Sequence, residues 1–339
     1  MKAFLVDISA FQIWFCDQGV IRTSNPLELV KDYRFATSSR AELPLEQIGR
    51  LGLRGQIHVA VPNHVRRHHQ AGITTHVISS PTPYSFVRLS KDVYVESPEA
   101  TLVRMASHLN RGELAVMINQ LLSCYRICKG AIVKARPLST KTQLLEQLDR
   151  FKGKRGAKKA RRALTYAVAE TASPAEAKVA ALLTLPARWG GKGLPLPEAN
   201  AEIVLTAPGT HATTKAANTD PTQKRTTKEN GNQIKRYADY LWKAWKLILE
   251  YESDAFHASS EKIGADSARR AELQREGYTV VTLTNRQLSN TEEFSIVVDT
   301  LLKKMGRPDK TAQVENYDTT ESELRRQVFS YDPLLVGIG

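Results

Sequence analysis

The sequence predicts an α/β protein: a mixed sheet flanked by helices in the C-terminal half, preceded by a smaller α/β or α+β N-terminal domain. Three observations predict it. Short runs rich in β-branched residues recur in both halves, as in Gln56-Ile-His-Val-Ala-Val-Pro62 and Tyr278-Thr-Val-Val-Thr-Leu-Thr284. Between them lie stretches of helical periodicity with explicit start signals, such as the one opened by Ser97-Pro98. And a chain of 339 residues, 42% of them hydrophobic, is long enough for about two separate cores.

The opening Met1–Phe15 is apolar but interrupted by Asp7 and Gln12, so it reads as a buried strand and helix, not a signal peptide. Strands follow at Gln56–Pro62 and Thr75–Ser79, and a hairpin at Phe86–Leu89 and Val93–Glu96. Ala100–Tyr125 is helical in period, with a break near Asn110–Gly112. This first domain covers residues 1–125, and a basic connecting segment 126–165 follows it. The second domain, 166–305, starts with a helix from Pro174 to Leu185 and a Gly/Pro-rich turn from Arg188 to Pro197. A strand at Ala201–Thr206 precedes a polar stretch, 207–235, that reads as a mobile loop. Tyr237–Lys243 and Lys246–Glu252 are successive strands; a helix from about Ser267 to Glu276 stops at Gly277 before the strand Tyr278–Thr284. Asn290-Thr-Glu-Glu293 is a capping box that opens a last helix, and 306–339 reads as a poorly specified tail.

Composition excludes several classes. No apolar run approaches the ~18–20 residues of a membrane span, so no membrane partner is expected. Three cysteines, Cys16, Cys124 and Cys128, make neither a disulfide framework nor a four-ligand zinc site and fit a reducing cytoplasm. Cys124 and Cys128 read as core residues four apart on a helix. The net charge is +13, concentrated between Arg126 and Arg162, where thirteen Lys or Arg face two acids. Within it, Lys152, Lys154, Arg155, Lys158, Lys159, Arg161 and Arg162 form a patch dense enough to attract nucleic acid; the plainer reading is a solvated helix face. His64, His68, His69 and His76 lie among arginines with no acid nearby, and read as a basic, phosphate-contacting surface rather than a metal site.

Chemistry is concentrated in Tyr-Ala-Asp239-Tyr-Leu-Trp-Lys-Ala-Trp-Lys-Leu-Ile-Leu-Glu250-Tyr-Glu252. A hairpin turning at Ala244-Trp245 sets Asp239 opposite Glu250, with Glu252 on the same face. Opposed carboxylates repel, and a hard divalent cation reverses that sign, so Asp239, Glu250 and Glu252 are candidate ligands for Mg²⁺ or Mn²⁺. The alternative is an edge hairpin whose polar face meets water. Glu176 either completes a capping box with Ser173 or supplies a further ligand. Asp266 is placed to N-cap the helix that carries Arg269 and Arg270, two candidate phosphate ligands, and His257 to assist proton transfer.

These residues, together with Leu273 and Gly277-Tyr-Thr-Val-Val-Thr-Leu283, resemble the PD-(D/E)XK nuclease superfamily, in particular its branch similar to very-short-patch repair endonucleases. Glu252 stands where the superfamily's name has lysine, and Ser253 where the branch usually has glycine. The resemblance implies a restriction-endonuclease-like mixed sheet, Mg²⁺ held by Asp239 and Glu250 with Glu252 as a further ligand, supporting roles for Glu176 and His257, and water attack on a phosphodiester. At a weaker level, Ser9–Trp14 through Ser97–Leu102 resembles AbiEi-like antitoxin or regulator proteins of phage-defence systems, without the winged helix usual in them. The expectation is a metal-dependent endonuclease acting on DNA in defence, repair or mobile-element biology. A homodimer would suit double-strand cleavage, and a toxin–antitoxin or defence-system partner would suit the resemblance. Two alternatives stay open: a catalytically silent nucleic-acid-binding regulator or antitoxin, and a scaffold whose basic run docks an acidic protein.

Overall fold

The computed structural model describes residues 1–15, 25–27, 30–128, 130–206, 233–253 and 260–333. It is mixed α/β and divides into two compact units, Met1–Ala199 with Gly306–Gly339, and Asn200–Met305.

In the first unit, β1 (Ala3–Leu5) runs directly into α1 (Asp7–Phe15). After α2 (Leu45–Gly49) come β2 (Ile57–Val61), β3 (Ile73–Val77), β4 (Phe86–Arg88) and β5 (Val93–Glu96). They form a five-stranded sheet in the order β3-β2-β1-β5-β4. β1 takes the centre because it is apolar on both faces, with Ala3, Phe4, Leu5 and Val6 fully buried. It pairs parallel with β5 and antiparallel with β2, and β4–β5 is the expected hairpin. Phe4 stacks on Tyr94 and meets Tyr33 and Phe86 edge-on, an arrangement aromatic rings favour.

The expected helical break is real. α3 (Pro98–Met105) starts where the Ser97 side chain accepts the Ala100 N–H, and α4 (Arg111–Leu121) starts at a capping box between Asn110 and Glu113. The helix does not extend to Tyr125: β6 (Tyr125–Cys128) and β7 (Ala131–Lys134) form a small hairpin. Cys124 and Cys128 therefore do not share a helix, and the Cys124 thiol donates to the Glu170 carbonyl oxygen.

The basic segment is not a connector. α5 (Lys141–Arg150) and α6 (Ala157–Leu164) bury Leu144, Leu148, Ala160, Ala163 and Leu164, and leave most of their cations outward. α7 (Pro174–Thr184) also belongs to this unit, packing Val179, Leu182 and Leu183 into its core, so the boundary falls near residue 200 instead of 166. An apolar helix follows whichever partner covers it, and α7 is covered by α4.

The second unit contains β8 (Glu198–Thr206), β9 (Gln233–Trp242), β10 (Leu247–Glu252), α8 (Ser260–Arg275), β11 (Thr279–Thr284), α9 (Asn285–Ser289) and α10 (Thr291–Met305). Its sheet order is β11-β10-β9-β8, with β10 antiparallel to β9 and parallel to β11. Ile203, Leu205, Leu241 and Ile248 pack with Leu273 of α8, while α10 lies against β10 and β11. Residues up to 232 of the expected loop 207–235 lie outside those described.

The expected tail is instead a helix. α11 (Tyr317–Ser330) returns to the first unit and packs on α4, burying Leu324 and Val328. Gly112 makes the close approach possible: a Cβ there would lie 2.6 Å from Gln327 Cβ and 3.1 Å from Val328 N. Gly112→Ala is expected to destabilise the first unit by ~1–3 kcal/mol through this overlap. Urea denaturation checks it, and an unchanged midpoint would contradict the packing.

Candidate metal centre and nucleic-acid interface

β9 and β10 are in the register that the turn predicts, with Leu247 opposite Trp242, Ile248 opposite Leu241 and Leu249 opposite Tyr240. The reversal is made by a tight turn, Lys243–Trp245, closed by Lys246 in the left-handed conformation. Continued by one residue, this register brings Asp239 level with Glu250. There the backbone ladder gives way: Asp239 Oδ2 accepts the Tyr251 N–H at 2.7 Å. Alternation along the strands puts Asp239, Glu250 and Glu252 on the face of Leu241 and Ile248, which α8 covers. Trp242, Leu247 and Leu249 have the opposite parity.

Arg269 and Arg270 are one helical turn from buried Leu273, so the contact that seats α8 also aims both at the acids. Arg269 Nη2 lies 3.0 Å from Glu250 Oε1 and also donates to the Tyr237 carbonyl oxygen. Arg270 Nη2 donates to Thr282 Oγ1 at 3.0 Å and lies 3.8 Å from Glu252. Asp239, Glu250, Glu252, Arg269 and Arg270 all line one cavity of 220 Å³. Burial raises the proton affinity of Asp239, against the Tyr251 N–H and Arg269. Burial, then the charge of Asp239, pushes Glu250 up to about 7, with Arg269 working the other way.

This is an all-oxygen donor set whose charges cost free energy where they stand, and a hard dication offsets that cost. In chemistry the residues fit Mg²⁺ or Mn²⁺. The arginines draw Glu250 and Glu252 toward α8, and among the described residues the one trio with ligand atoms gathered within 4.8 Å of one another is Asp7, His58 and His76, in the first unit.

The other expected residues divide. Glu176 is committed to capping: its carboxylate accepts the Ala172 N–H at 2.8 Å and the Ser173 hydroxyl at 2.7 Å. It belongs to the first unit and the three acids to the second. His257 lies outside the described residues. Asp266 falls within α8, which starts at Ser260, so it is no N-cap. Of the basic patch, Arg161 pairs with Asp149 at 2.5 Å, and Lys152 is exposed. Lys154 and Arg155 line a cavity of 460 Å³. Lys158, Lys159 and Arg162 line another of 370 Å³, with Arg111 and Trp189, and Lys159 donates to the Leu109 carbonyl oxygen. The guanidinium groups of Arg111, Arg162 and Arg188 all lie within 5.2–5.4 Å of the Trp189 ring centre. This cation–aromatic cluster went unread in the sequence, where Arg111 and Trp189 are far apart; Arg188-Trp189 inside a glycine-rich turn was its one local sign.

Missed as well was the grouping of Asp7, His58, His76 and His108: His76, expected on a basic surface with no acid nearby, is half-buried on β3, beside His58 and within 3.9 Å of Asp7. Burial lowers the proton affinity of both His58 and His76, the latter to about 4, so both are neutral near pH 7. His64, His68 and His69 are exposed, as a surface loop requires.

Compared with protein-family models, with curated proteins and with solved structures, the chain matches none. Among the described residues, no helix is long and apolar enough to cross a membrane.

Proposed function

We propose that the chain is a metal-dependent phosphodiester hydrolase acting on nucleic acid, with its site in the second unit. The observation that carries this reading is the single 220 Å³ cavity lined by three carboxylates and two guanidinium groups. Asp239 and Glu250 would hold a Mg²⁺ or Mn²⁺ ion, with Glu252 as a further ligand. Such an ion supplies Lewis acidity and a more acidic bound water. Asp239 is fixed for that task by the Tyr251 N–H, and Glu250 is poised near neutrality between a proton and a metal. Arg269 and Arg270 have guanidinium groups of the shape that grips phosphate oxygens, and are free to exchange their acids for a phosphate once a cation satisfies those acids. A strand–turn–strand bearing Asp239 and Glu250, a parallel β11 and a covering α8 are consistent with the PD-(D/E)XK resemblance and with a restriction-endonuclease-like fold. The cationic surface of α6 supports contact with a polyanion, and DNA is the substrate this reading favours.

One observation favours the rival reading of a silent binding module: Glu250 and Glu252 already have arginine partners, which hold the acids without a metal. Incubating supercoiled plasmid and single-stranded DNA with the protein in Mg²⁺ or Mn²⁺ separates the two. Wild type is expected to nick or cut, and Asp239→Ala and Glu250→Ala to lower the rate by at least ~100-fold. DNA retarded on a gel but never cut, with binding unchanged in both variants, would establish the binding module instead.

A further inference from the structure

The first unit carries a separate constellation at the junction of β1 and α1. Asp7 has φ +55, a left-handed conformation that costs a non-glycine residue free energy and persists only where its surroundings impose it. They do so here: the Asp7 N–H donates to Glu96 Oε2 at 3.1 Å, and Glu96 is itself gripped by Arg104 through both carboxylate oxygens. The Asp7 side chain is about 4% exposed. Oδ2 lies 3.3 Å from His108 Nε2 and 3.9 Å from His76 Nδ1. Oδ1 is buried and has no hydrogen-bond partner among the described residues. A buried carboxylate oxygen with no donor is costly to keep, which calls for a ligand.

The histidines supply what is missing. His58 on β2 and His76 on β3 are diagonal neighbours on one face of a parallel pair, in which Ala60 is opposite His76 and His58 opposite Thr74. Their rings stack, and His58 Nδ1 is 3.1 Å from His76 Nε2. One ligand atom from each of Asp7, His58 and His76 lies within 4.8 Å of the other two. From this geometry we propose that Asp7, His58 and His76 bind a divalent transition-metal ion of the Zn²⁺ class.

Two imidazoles with one carboxylate select Zn²⁺, Co²⁺, Fe²⁺ or Mn²⁺ over the Mg²⁺ that an all-oxygen set prefers. Three protein ligands leave coordination positions open, as in catalytic and not structural zinc sites. Asp7 and His76 line the 460 Å³ cavity, whose wall also includes Glu96, Arg104, His108, Lys154 and Arg155. The ion would thus sit beside a chamber in which Lys154 and Arg155 offer positive charge to an anionic ligand, while His108, 3.3 Å from Asp7 Oδ2, orients that carboxylate. Glu96 and Arg104 act as positioning residues, holding the strained Asp7 backbone so that its carboxylate points at the histidines.

The test uses the full-length protein, stripped with a chelator and titrated with Zn²⁺ and with Co²⁺ in the presence of millimolar Mg²⁺. Bound metal is counted by mass spectrometry, and the Co²⁺ absorption spectrum reports imidazole ligation. Wild type and Glu250→Ala are expected to retain one tight Zn²⁺ that Mg²⁺ does not displace. His58→Ala and His76→Ala are expected to weaken it by roughly 100-fold or more. Because a half-buried imidazole can matter for folding, the wild-type ring-nitrogen NMR resonances are followed as well, and Zn²⁺ must shift those of His58 and His76. Those resonances remaining unmoved at saturating Zn²⁺, or undiminished binding by folded histidine variants, would overturn the proposal. Zn²⁺ lost in Glu250→Ala alone would overturn it too and assign the ion to the second unit.

Discussion

Replacing Glu250 with glutamine is expected to stabilise the metal-free second unit by ~2–3 kcal/mol at pH 8 while removing any metal-dependent cleavage. The argument rests on the raised proton affinity of this carboxyl, from an ordinary 4.5 up to about 7. A group that binds its proton more tightly when folded contributes stability below its unfolded value and loses that contribution as pH rises through the folded one. Wild type should therefore lose stability between about pH 4.5 and 7, and glutamine, which resembles the protonated acid, should flatten that decline. Below about pH 4.5 the two proteins converge. Mg²⁺ at saturating concentration should restore wild type at pH 8 by mass action and leave the variant unchanged. Hydrogen exchange of the β9 and β10 amides as a function of pH measures this unit separately. A wild-type protection that rises with pH across this window would contradict the burial of Glu250. The trade is typical of a binding site, whose charges are held apart from their best partners until the ligand arrives.

The second large effect concerns α11. Lys192 and Glu321 form an ion pair at 2.9 Å, with their side chains about 6% and 5% exposed. Glu321→Ala leaves the ammonium buried without its carboxylate, at an expected cost of ~3–5 kcal/mol. Lys192→Met combined with Glu321→Leu should recover most of that loss, because two apolar groups of similar volume remove both desolvation penalties. The glycines beside the pair leave little room for other solutions: a Cβ on Gly190 would lie 2.3 Å from the Thr320 carbonyl oxygen. Thermal unfolding of the single and double variants decides the matter, and a single variant as stable as wild type would mean that α11 is not docked in solution.

Much of the second unit could be read along the chain. The β9–β10 register follows from a short turn and period-two alternation, both local, and from it the alignment of Asp239 with Glu250. The Ser97 and Ser173 caps and the Gly277 stop were visible because each is settled within four residues, by a side chain that satisfies a nearby backbone group or by a glycine in the left-handed conformation; near Asn110 only the break was legible, not the cap that makes it. Helix α11 was not visible, because its apolar residues are few and its stability comes from α4, Gly112 and Lys192, far away in the chain. The unit boundary was misplaced for a related reason, since an amphipathic helix such as α7 specifies that it will be covered but not by which surface.

The Asp7–His58–His76 group marks the limit most clearly. Each residue alone reads as ordinary core or surface, and their separations in sequence match no ligand-spacing pattern. They meet because the sheet runs in the order β3-β2-β1, which brings the end of β1 beside two histidines on its neighbours. Local chemistry along the chain therefore specified strands, turns, caps and the acidic hairpin. Strand order and helix docking, which depend on the summed burial of distant apolar faces, chose which of the remaining polar residues would share a site.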